Sequence, residues 1–170
     1  VLQGQGFTIP DAPIMSGVRR ARIPGRAEVM QHQPLVLLDG AHNPQKVAAL
    51  ARDLATLLPV GEGGRRIGVL GMLDAKAHAG ATAALMPVID TLVLTSPNVL
   101  AKEGLAADRL AHMAREQGFT GPLVIEPDPR RALAAALDLA TPADALLVTG
   151  SLYLVGNLRG HWQPDDEIVL

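Results

Sequence analysis

The sequence predicts an α/β domain of the doubly wound, Rossmann-like class: a three-layer sandwich on a mostly parallel sheet of about six strands. Three observations support this. Five short apolar runs alternate with stretches of helical periodicity. A run of mixed polarity lies just before the first of them, separated by three residues, which is typical of a hairpin with one antiparallel edge strand. Polar or small residues follow the runs. The apolar runs are 35–38, 67–73, 91–95, 123–126 and 145–149.

Length and composition are those of one globular domain. The chain has 170 residues, 48% of them hydrophobic, and a formal net charge of −2. This apolar content can bury one core. Aromatic residues are scarce and the arginines are scattered, so we expect no nucleic-acid partner. The lack of Cys excludes disulfides and thiolate metal sites. We find no signal peptide and no membrane-spanning run, and expect a cytoplasmic protein with no membrane partner.

The first 25 residues differ from the rest of the chain. Gly and Pro punctuate them and no periodicity is sustained, apart from a short helix predicted at 14–21. We interpret residues 1–25 as an interdomain linker or the remnant of a preceding domain. Residues 26–170 are predicted to form the α/β domain itself.

A hairpin is predicted to bring two charged residues together. Residues 26–31 and 35–39 form its strands, and His32-Gln33-Pro34 connects them. Because a hairpin places the start of one strand beside the end of the other, Arg26 and Asp39 are expected at the same rim of the sheet. They form either part of a binding site or a structural ion pair on a sheet edge.

The turn Asp39-Gly-Ala-His42-Asn43-Pro44 connects the first buried strand to a helix. Asn43 is a good N-cap and Pro44 suits the first helical position. A strand, a tight turn and a helix N-terminus form a place where open α/β sheets bind anions. Asp39 and His42 are therefore candidate catalytic residues, and the lack of bulk at Gly40 and Ala41 would let a ligand approach the backbone. Alternatively, Asp39 caps the helix or braces the turn, and His42 is a solvated loop residue.

The remaining elements follow in order. The glycine-rich loop at 61–64 lacks the Lys-Ser/Thr ending of a P-loop, and no Gly-x-Gly-x-x-Gly opens the first helix, so neither nucleotide motif is present. Helices are predicted at 75–85, 106–117 and 130–139, the last with Asp128 as its N-cap. A further helix begins after Ser151, which either caps it or contacts a ligand. Residues 161–170 form a tail that Trp162 packs down.

Polar residues at the ends of the strands are expected to meet at one edge of the sheet, since the carboxyl ends of parallel strands share an edge. This edge is the predicted functional face. Its members are Asp39, Ser96, Glu126, Thr149 and Ser151.

The motif from Asp39 to Pro44, preceded by Pro24-Gly25-Arg26, resembles folylpolyglutamate synthase/dihydrofolate synthase, a branch of the Mur ligase superfamily. Relatives that build peptidoglycan carry looser versions of the Ala-His-Asn-Pro turn. The Gly-Ser-Leu-Tyr turn that ends at Tyr153 is similar to one in the same family. The resemblance covers about residues 14–160, and it corresponds to the C-terminal part of such an enzyme.

The resemblance implies ATP-dependent amide formation, in which a carboxylate of dihydropteroate or a folate becomes an acyl phosphate that L-glutamate attacks. Arg26 and Asp39 would contact ATP. His42 would lie near the transferred phosphate or the incoming glutamate, and Ser151 near the amino-acid end of the site. The P-loop and the magnesium ligands would belong to the enzyme's own N-terminal ATPase domain, with no metal ligand here. The domain alone is therefore expected to be inactive, and a monomer is expected.

Two positions depart from the family pattern. Asp74-Ala-Lys76 stands where these ligases usually show an Asp-Lys-Asp-like run, and Lys102 stands where an arginine is usual. Arg and Lys are not interchangeable at a bidentate site, so Lys102 is left out of the predicted site. Two other functions stay open: a free-standing α/β module that binds a nucleotide or phosphate, and the equivalent domain of a peptidoglycan or cyanophycin ligase.

Overall fold

The computed structural model describes residues 3–6, 10–21, 23–74 and 78–163. Within them a six-stranded sheet has the order β1-β2-β6-β3-β4-β5. The strands are β1 (Glu28–His32), β2 (Leu35–Leu38), β3 (Arg66–Leu70), β4 (Thr91–Leu94), β5 (Leu123–Ile125) and β6 (Ala145–Thr149). The helices are α1 (Asp11–Arg20), α2 (Pro44–Leu57), α3 (His78–Leu85), α4 (Ala107–Glu116), α5 (Pro129–Leu139) and α6 (Leu152–Arg159).

The sheet has the predicted three-layer arrangement. β1 pairs antiparallel with β2 at the edge, and the other strand pairs are parallel. Buried side chains of α2, α3 and α4 form one core with one face of the sheet, and those of α5 and α6 form a second core with the other face. The fold prediction is confirmed, including the antiparallel edge strand.

The chain leaves two neighbouring strands, β2 and β6, in opposite directions. The chain leaves β2 for α2 on one face of the sheet and leaves β6 for α6 on the other, although β2 and β6 are neighbours. Ligands of open α/β sheets bind where the connections from two neighbouring strands diverge in this way. Backbone hydrogen bonds join the turns at this edge, from Gly150 N to Ala41 O at 3.0 Å and from Gly71 N to Thr149 O at 3.2 Å.

The N-caps predicted from sequence are present. Asn43 Oδ1 accepts a hydrogen bond from Lys46 N at 2.9 Å, and Asp128 Oδ1 accepts one from Arg131 N at 2.9 Å. Both helices begin at the proline that follows the cap, where the missing N–H costs nothing. Trp162 is partly buried against the core beneath α6, and its Nε1 donates to Gln31 at 3.1 Å. Trp162 thus packs on the core, while the tail that it was predicted to pack down lies outside the described residues from residue 164 onward.

Some predicted bounds are wrong. β3 ends at Leu70 rather than at residue 73 because residues 72–74 turn away to pair with the loop 103–105. Leu105 N donates to Met72 O at 2.8 Å there. α1 begins at Asp11, three residues before the predicted start at residue 14. The start of the helix predicted at 75–85 and the end of the tail at 161–170 lie partly outside the described residues.

No helix among the described residues has both the length and the apolar character needed to cross a membrane.

Candidate functional site

Asp39 braces the turn that follows β2. Its Oδ1 accepts a hydrogen bond from Ala41 N at 2.8 Å, and its Oδ2 accepts one from Ala27 N at 2.9 Å. The predicted brace is therefore present, while Asn43, and not Asp39, caps α2. An ionised carboxylate offers about four lone-pair sites. Asp39 is only half-buried, so its remaining sites can still accept hydrogen bonds from a ligand.

Arg26 lies at the same rim of the sheet as Asp39, as predicted from the geometry of the hairpin. Both line one groove, but within the described ranges no ion pair joins them. The Arg26 Nη1 atom makes a long contact of 3.4 Å to Gly25 O, and the side chain is exposed. The alternative of a structural Arg–Asp ion pair is therefore wrong. The Asp39 carboxylate accepts a hydrogen bond from the backbone N–H of Ala27 instead.

A partly buried ion pair supports the turn that carries Arg26. Glu28 accepts hydrogen bonds from Gly25 N at 2.8 Å and from Arg159 Nη2 at 2.9 Å. The side chains of Glu28 and Arg159 are 13% and 21% exposed, so solvent screens this pair less than a surface pair. Gly25 has a φ of 66° and Ala27 a φ of 44°. The backbone of this turn is thus held in an uncommon conformation by contacts with α6 and β2.

The imidazole of His42 is held at both nitrogens, although the residue is exposed. Nδ1 lies 2.8 Å from Gly40 O, and Nε2 lies 3.4 Å from Lys46 Nζ. A carbonyl oxygen only accepts, so Nδ1 carries the hydrogen and Nε2 offers its lone pair to the ammonium. The alternative of a solvated loop residue is right about the exposure of His42, but its ring has a defined orientation and tautomer.

Gly40 lies against the side chain of Leu152. The residue is buried, and a Cβ atom at this position would lie 2.3 Å from Cδ2 of Leu152 in α6. The side chain of Leu152 thus fills the space that a side chain at residue 40 would need, and a close ligand approach to the backbone of this turn stays a prediction. The glycine allows α6 to pack on the turn.

Ser151 caps α6 from a buried position. Its Oγ accepts a hydrogen bond from Tyr153 N at 3.1 Å, and the residue is 3% exposed. The hydroxyl keeps one O–H donor. Ser151 lies at the turn after β6, whereas Asp39 and His42 lie at the turn after β2, and a backbone bond from Gly150 to Ala41 connects the two turns. The structure thus places all the predicted site residues at one edge of the sheet.

A groove of about 290 Å³ runs along α2 beside this turn. Its lining combines an apolar wall with charged groups, and consists of Arg26, Asp39, Ala41, Lys46, Ala49, Leu50, Asp53 and Leu57. Lys46 and Asp53 were not predicted from the sequence. Both belong to one helical stripe with Leu50 and Leu57, and a lysine in the first turn of a helix was the signal available for Lys46.

The two departures from the family pattern have partners of their own. Lys102 Nζ donates to the Tyr153 hydroxyl at 2.7 Å and lies 4.8 Å from the centre of its ring. Asp74 is 3.5 Å from Arg109. Among the residues that the structure describes, no three His, Cys, Asp or Glu side chains form a group able to hold a metal ion.

The residues at this edge lie within a span that matches a known protein family. The model of the family "Mur ligase, glutamate ligase domain" matches residues 25–152, a span that includes the Arg26 turn, the Asp39 turn and Ser151. This chain belongs to the Mur ligase family.

Curated relatives of this Mur ligase domain carry related names. A probable bifunctional folylpolyglutamate synthase/dihydropteroate synthase of Halobacterium salinarum is 36% identical over 95% of this chain and 19% of its own length. Dihydrofolate synthase/folylpolyglutamate synthase of Escherichia coli is 29% identical over 92% of this chain and 35% of its own length. The chain thus spans about a fifth to a third of the length of these relatives.

Solved structures of the same family share the fold. E. coli FolC in complex with DHPP and ADP superposes with a TM-score of 0.80 at 28% identity, over 94% of this chain and 36% of that one. Mycobacterium tuberculosis folylpolyglutamate synthase complexed with ADP gives a TM-score of 0.81 at 28% identity, over 94% of this chain and 37% of that one. Both neighbours were solved with a nucleotide bound.

Proposed function

We propose that this chain is the C-terminal domain of an ATP-dependent ligase that joins L-glutamate to a folate or dihydropteroate. The groove along α2 carries the proposal, because it places Arg26 and the braced carboxylate of Asp39 on a wall with apolar residues. The names of the family relatives support the same reaction. Residues 26–170 are the domain in this proposal, and residues 1–25 lead into it from the rest of the enzyme.

The groove fits part of a nucleotide. Its apolar wall of Ala49, Leu50 and Leu57 suits a base, the free acceptor sites of Asp39 suit ribose hydroxyls, and the guanidinium of Arg26 suits phosphate oxygens. Its volume of about 290 Å³ is at the lower end for ligand pockets. A second surface must therefore complete the site. We assign that surface to the N-terminal ATPase domain, which would also supply the P-loop and the magnesium ligands.

The reaction transfers the terminal phosphoryl group of ATP to the substrate carboxylate. The amine of L-glutamate then attacks the acyl carbon, the amide C–N bond forms, and phosphate leaves. His42 lies at the turn where a phosphate or the incoming amine would be bound, with its Nδ1–H held by Gly40. Ser151 retains one hydroxyl hydrogen for the amino-acid substrate. In this proposal the chain binds and orients the reactants, and has no turnover alone.

The proposed function is tested in the complete ligase that carries this domain. ADP release is measured with ATP, L-glutamate and either dihydropteroate or a folate, for the parent and for Arg26→Gln. We expect Arg26→Gln to raise the KM for ATP about tenfold, the loss of one charged contact of about 1.4 kcal/mol. Arg52→Gln is the control, because it removes the same charge from an exposed position on α2 that does not line the groove.

Two results would contradict this assignment. ADP release that depends on a peptidoglycan or cyanophycin precursor, and not on a folate, would assign the domain to another Mur ligase. Nucleotide binding without any amide formation would favour a binding module.

A further inference from the structure

Lys46 occupies a position that helix energetics disfavour. With Asn43 as N-cap and Pro44 as the first helical residue, Lys46 is the third residue of α2. No acidic residue lies in this first turn. A cation near a helix N-terminus opposes the helix dipole and typically costs about 0.3–1 kcal/mol. A residue that breaks a local rule in this way points to a role outside folding stability.

The ammonium of Lys46 is directed by its neighbours. Its Nζ lies 3.4 Å from Nε2 of His42, whose lone pair is free because Nδ1 donates to Gly40 O at 2.8 Å. This contact places the ammonium beside the turn that also carries Asp39. An ammonium has three donors, and the contact with His42 uses one of them.

The charges near this end of the groove favour an anion. Lys46 and Arg26 both line the groove, and neither forms an ion pair with a carboxylate in the described part of the chain. The nearby carboxylate of Asp39 already accepts two backbone hydrogen bonds. Asp53 lies two turns further along α2, where the stripe of lining residues becomes apolar toward Leu57.

We propose that Lys46 binds phosphate oxygens of the nucleotide, together with Arg26. The inference rests on the proposed function, which places ATP in this groove, and adds a residue of its polyphosphate site. In this arrangement His42 is the support that positions the ammonium. The base lies along the wall formed by Ala49 and Leu50.

The test measures binding to the 170-residue chain by titration of amide signals in NMR spectra. ADP, inorganic pyrophosphate, adenosine and L-glutamate are the probes, at one ionic strength. We expect Lys46→Gln to weaken the binding of ADP and of pyrophosphate about five- to tenfold. The affinity for adenosine should not change. Lys46→Arg should restore most of the affinity, because it keeps the charge. Lys46 is exposed, so these variants should fold.

Arg52→Gln removes the same charge from α2 outside the groove and serves as the control. If Lys46→Gln weakens ADP no more than Arg52→Gln does, the inference is overturned while ATP use by the complete ligase stands. A loss of L-glutamate binding in Lys46→Gln, with ADP unaffected, would make Lys46 a carboxylate ligand and also overturn it. If the parent chain binds neither ADP nor pyrophosphate, the inference about Lys46 is also overturned. The ligase function is tested separately, by the ADP-release assay on the complete enzyme.

Discussion

The carboxylate of Asp39 accepts a hydrogen bond from the backbone N–H of Ala27 at 2.9 Å, and so joins the two ends of the β1–β2 hairpin. The same carboxylate accepts a second bond from Ala41 N at 2.8 Å. Asp39 therefore fixes the positions of Arg26 and His42 relative to each other. A residue proposed to contact ATP is also part of the frame that shapes the site.

Replacing Asp39 tests this double role. Asp39→Asn keeps one acceptor oxygen but turns an NH₂ group toward a backbone N–H, so one of the two bonds is lost. We expect the free energy of unfolding to fall by about 1–3 kcal/mol, measured by urea denaturation of the chain. Asp53→Asn is the matched control, since Asp53 is exposed and lines the same groove. Equal stability of Asp39→Asn and the parent would show that these bonds do not support the turn.

A second carboxylate controls the response to acid. Asp144 is 3% exposed and accepts hydrogen bonds from Arg65 N at 2.6 Å, Arg65 Nη2 at 2.9 Å and Thr141 N at 2.8 Å. The bond from the Arg65 side chain holds the pKa of Asp144 well below its usual range. In the unfolded chain the Asp144 carboxyl has its ordinary pKa of about 3.9. As the pH falls, this carboxyl is therefore protonated in the unfolded chain before it is protonated in the folded one. The stabilisation is thus full above about pH 4 and falls as the pH decreases below it.

We expect Asp144→Asn to lower the free energy of unfolding by about 1–3 kcal/mol at pH 7, because the donors of Arg65 and Thr141 lose a charged acceptor that is itself buried. The difference from the parent should persist down to about pH 4 and shrink at lower pH. Urea denaturation at pH 7, 5 and 3 measures it. Asp138→Asn, an exposed site on α5, should show little difference at pH 7. If the difference in free energy of unfolding between Asp144→Asn and the parent is the same at pH 3 as at pH 7, this role of Asp144 is contradicted.

Two glycines near the site should respond differently to the same substitution. Gly150 has a φ of 103°, and a Cβ there would lie 2.6 Å from the carbonyl oxygen of Gly71. At Gly40 the obstacle is a side chain and not backbone: Cδ2 and Cγ of Leu152 would lie 2.3 and 2.5 Å from the added Cβ, and Leu152 is 43% exposed, so it has room to shift toward solvent. Gly150→Ala should therefore lower the free energy of unfolding by more than about 2 kcal/mol, and Gly40→Ala should lower it by about 1 kcal/mol or less.

Thermal unfolding measures the difference between these two variants, at about 2–4 °C per kcal/mol for a chain of this size. Gly156→Ala is the reference, because a Cβ at this position in α6 meets nothing within 4 Å. It should be neutral or stabilising. If Gly40→Ala is as harmful as Gly150→Ala, Leu152 cannot move away and α6 is rigidly fixed on the turn.

Local chemistry explains what the sequence could predict. The pairs Asn43-Pro44 and Asp128-Pro129 specify helix starts within a few residues, and both caps are present. The alternation of apolar runs and helices predicted the sheet and its edge strand. The rim shared by Arg26 and Asp39 followed from hairpin geometry alone.

Contacts between distant segments explain what the sequence could not predict. β3 ends early because the residues after it pair with residues 103–105. The space at Gly40 is filled by Leu152, and Glu28 pairs with Arg159 of α6. Periodicity and spacing contain no information on such partners. Lys46 was missed for another reason: its contact with His42 is local, but it depends on where both side chains point.

Ser151 provides the last prediction, because its cap and its proposed contact with L-glutamate can be separated. Ser151→Ala removes the bond from Tyr153 N, and we expect a loss of about 1 kcal/mol in the free energy of unfolding. Asp128→Ala is the matched control, since it removes the corresponding cap from α5. In the complete ligase both variants should lose similar stability, and only Ser151→Ala should raise the KM for L-glutamate, about five- to tenfold for one hydrogen bond. An unchanged KM per folded molecule would leave Ser151 as a cap alone, and the amino-acid end of the site would need another donor.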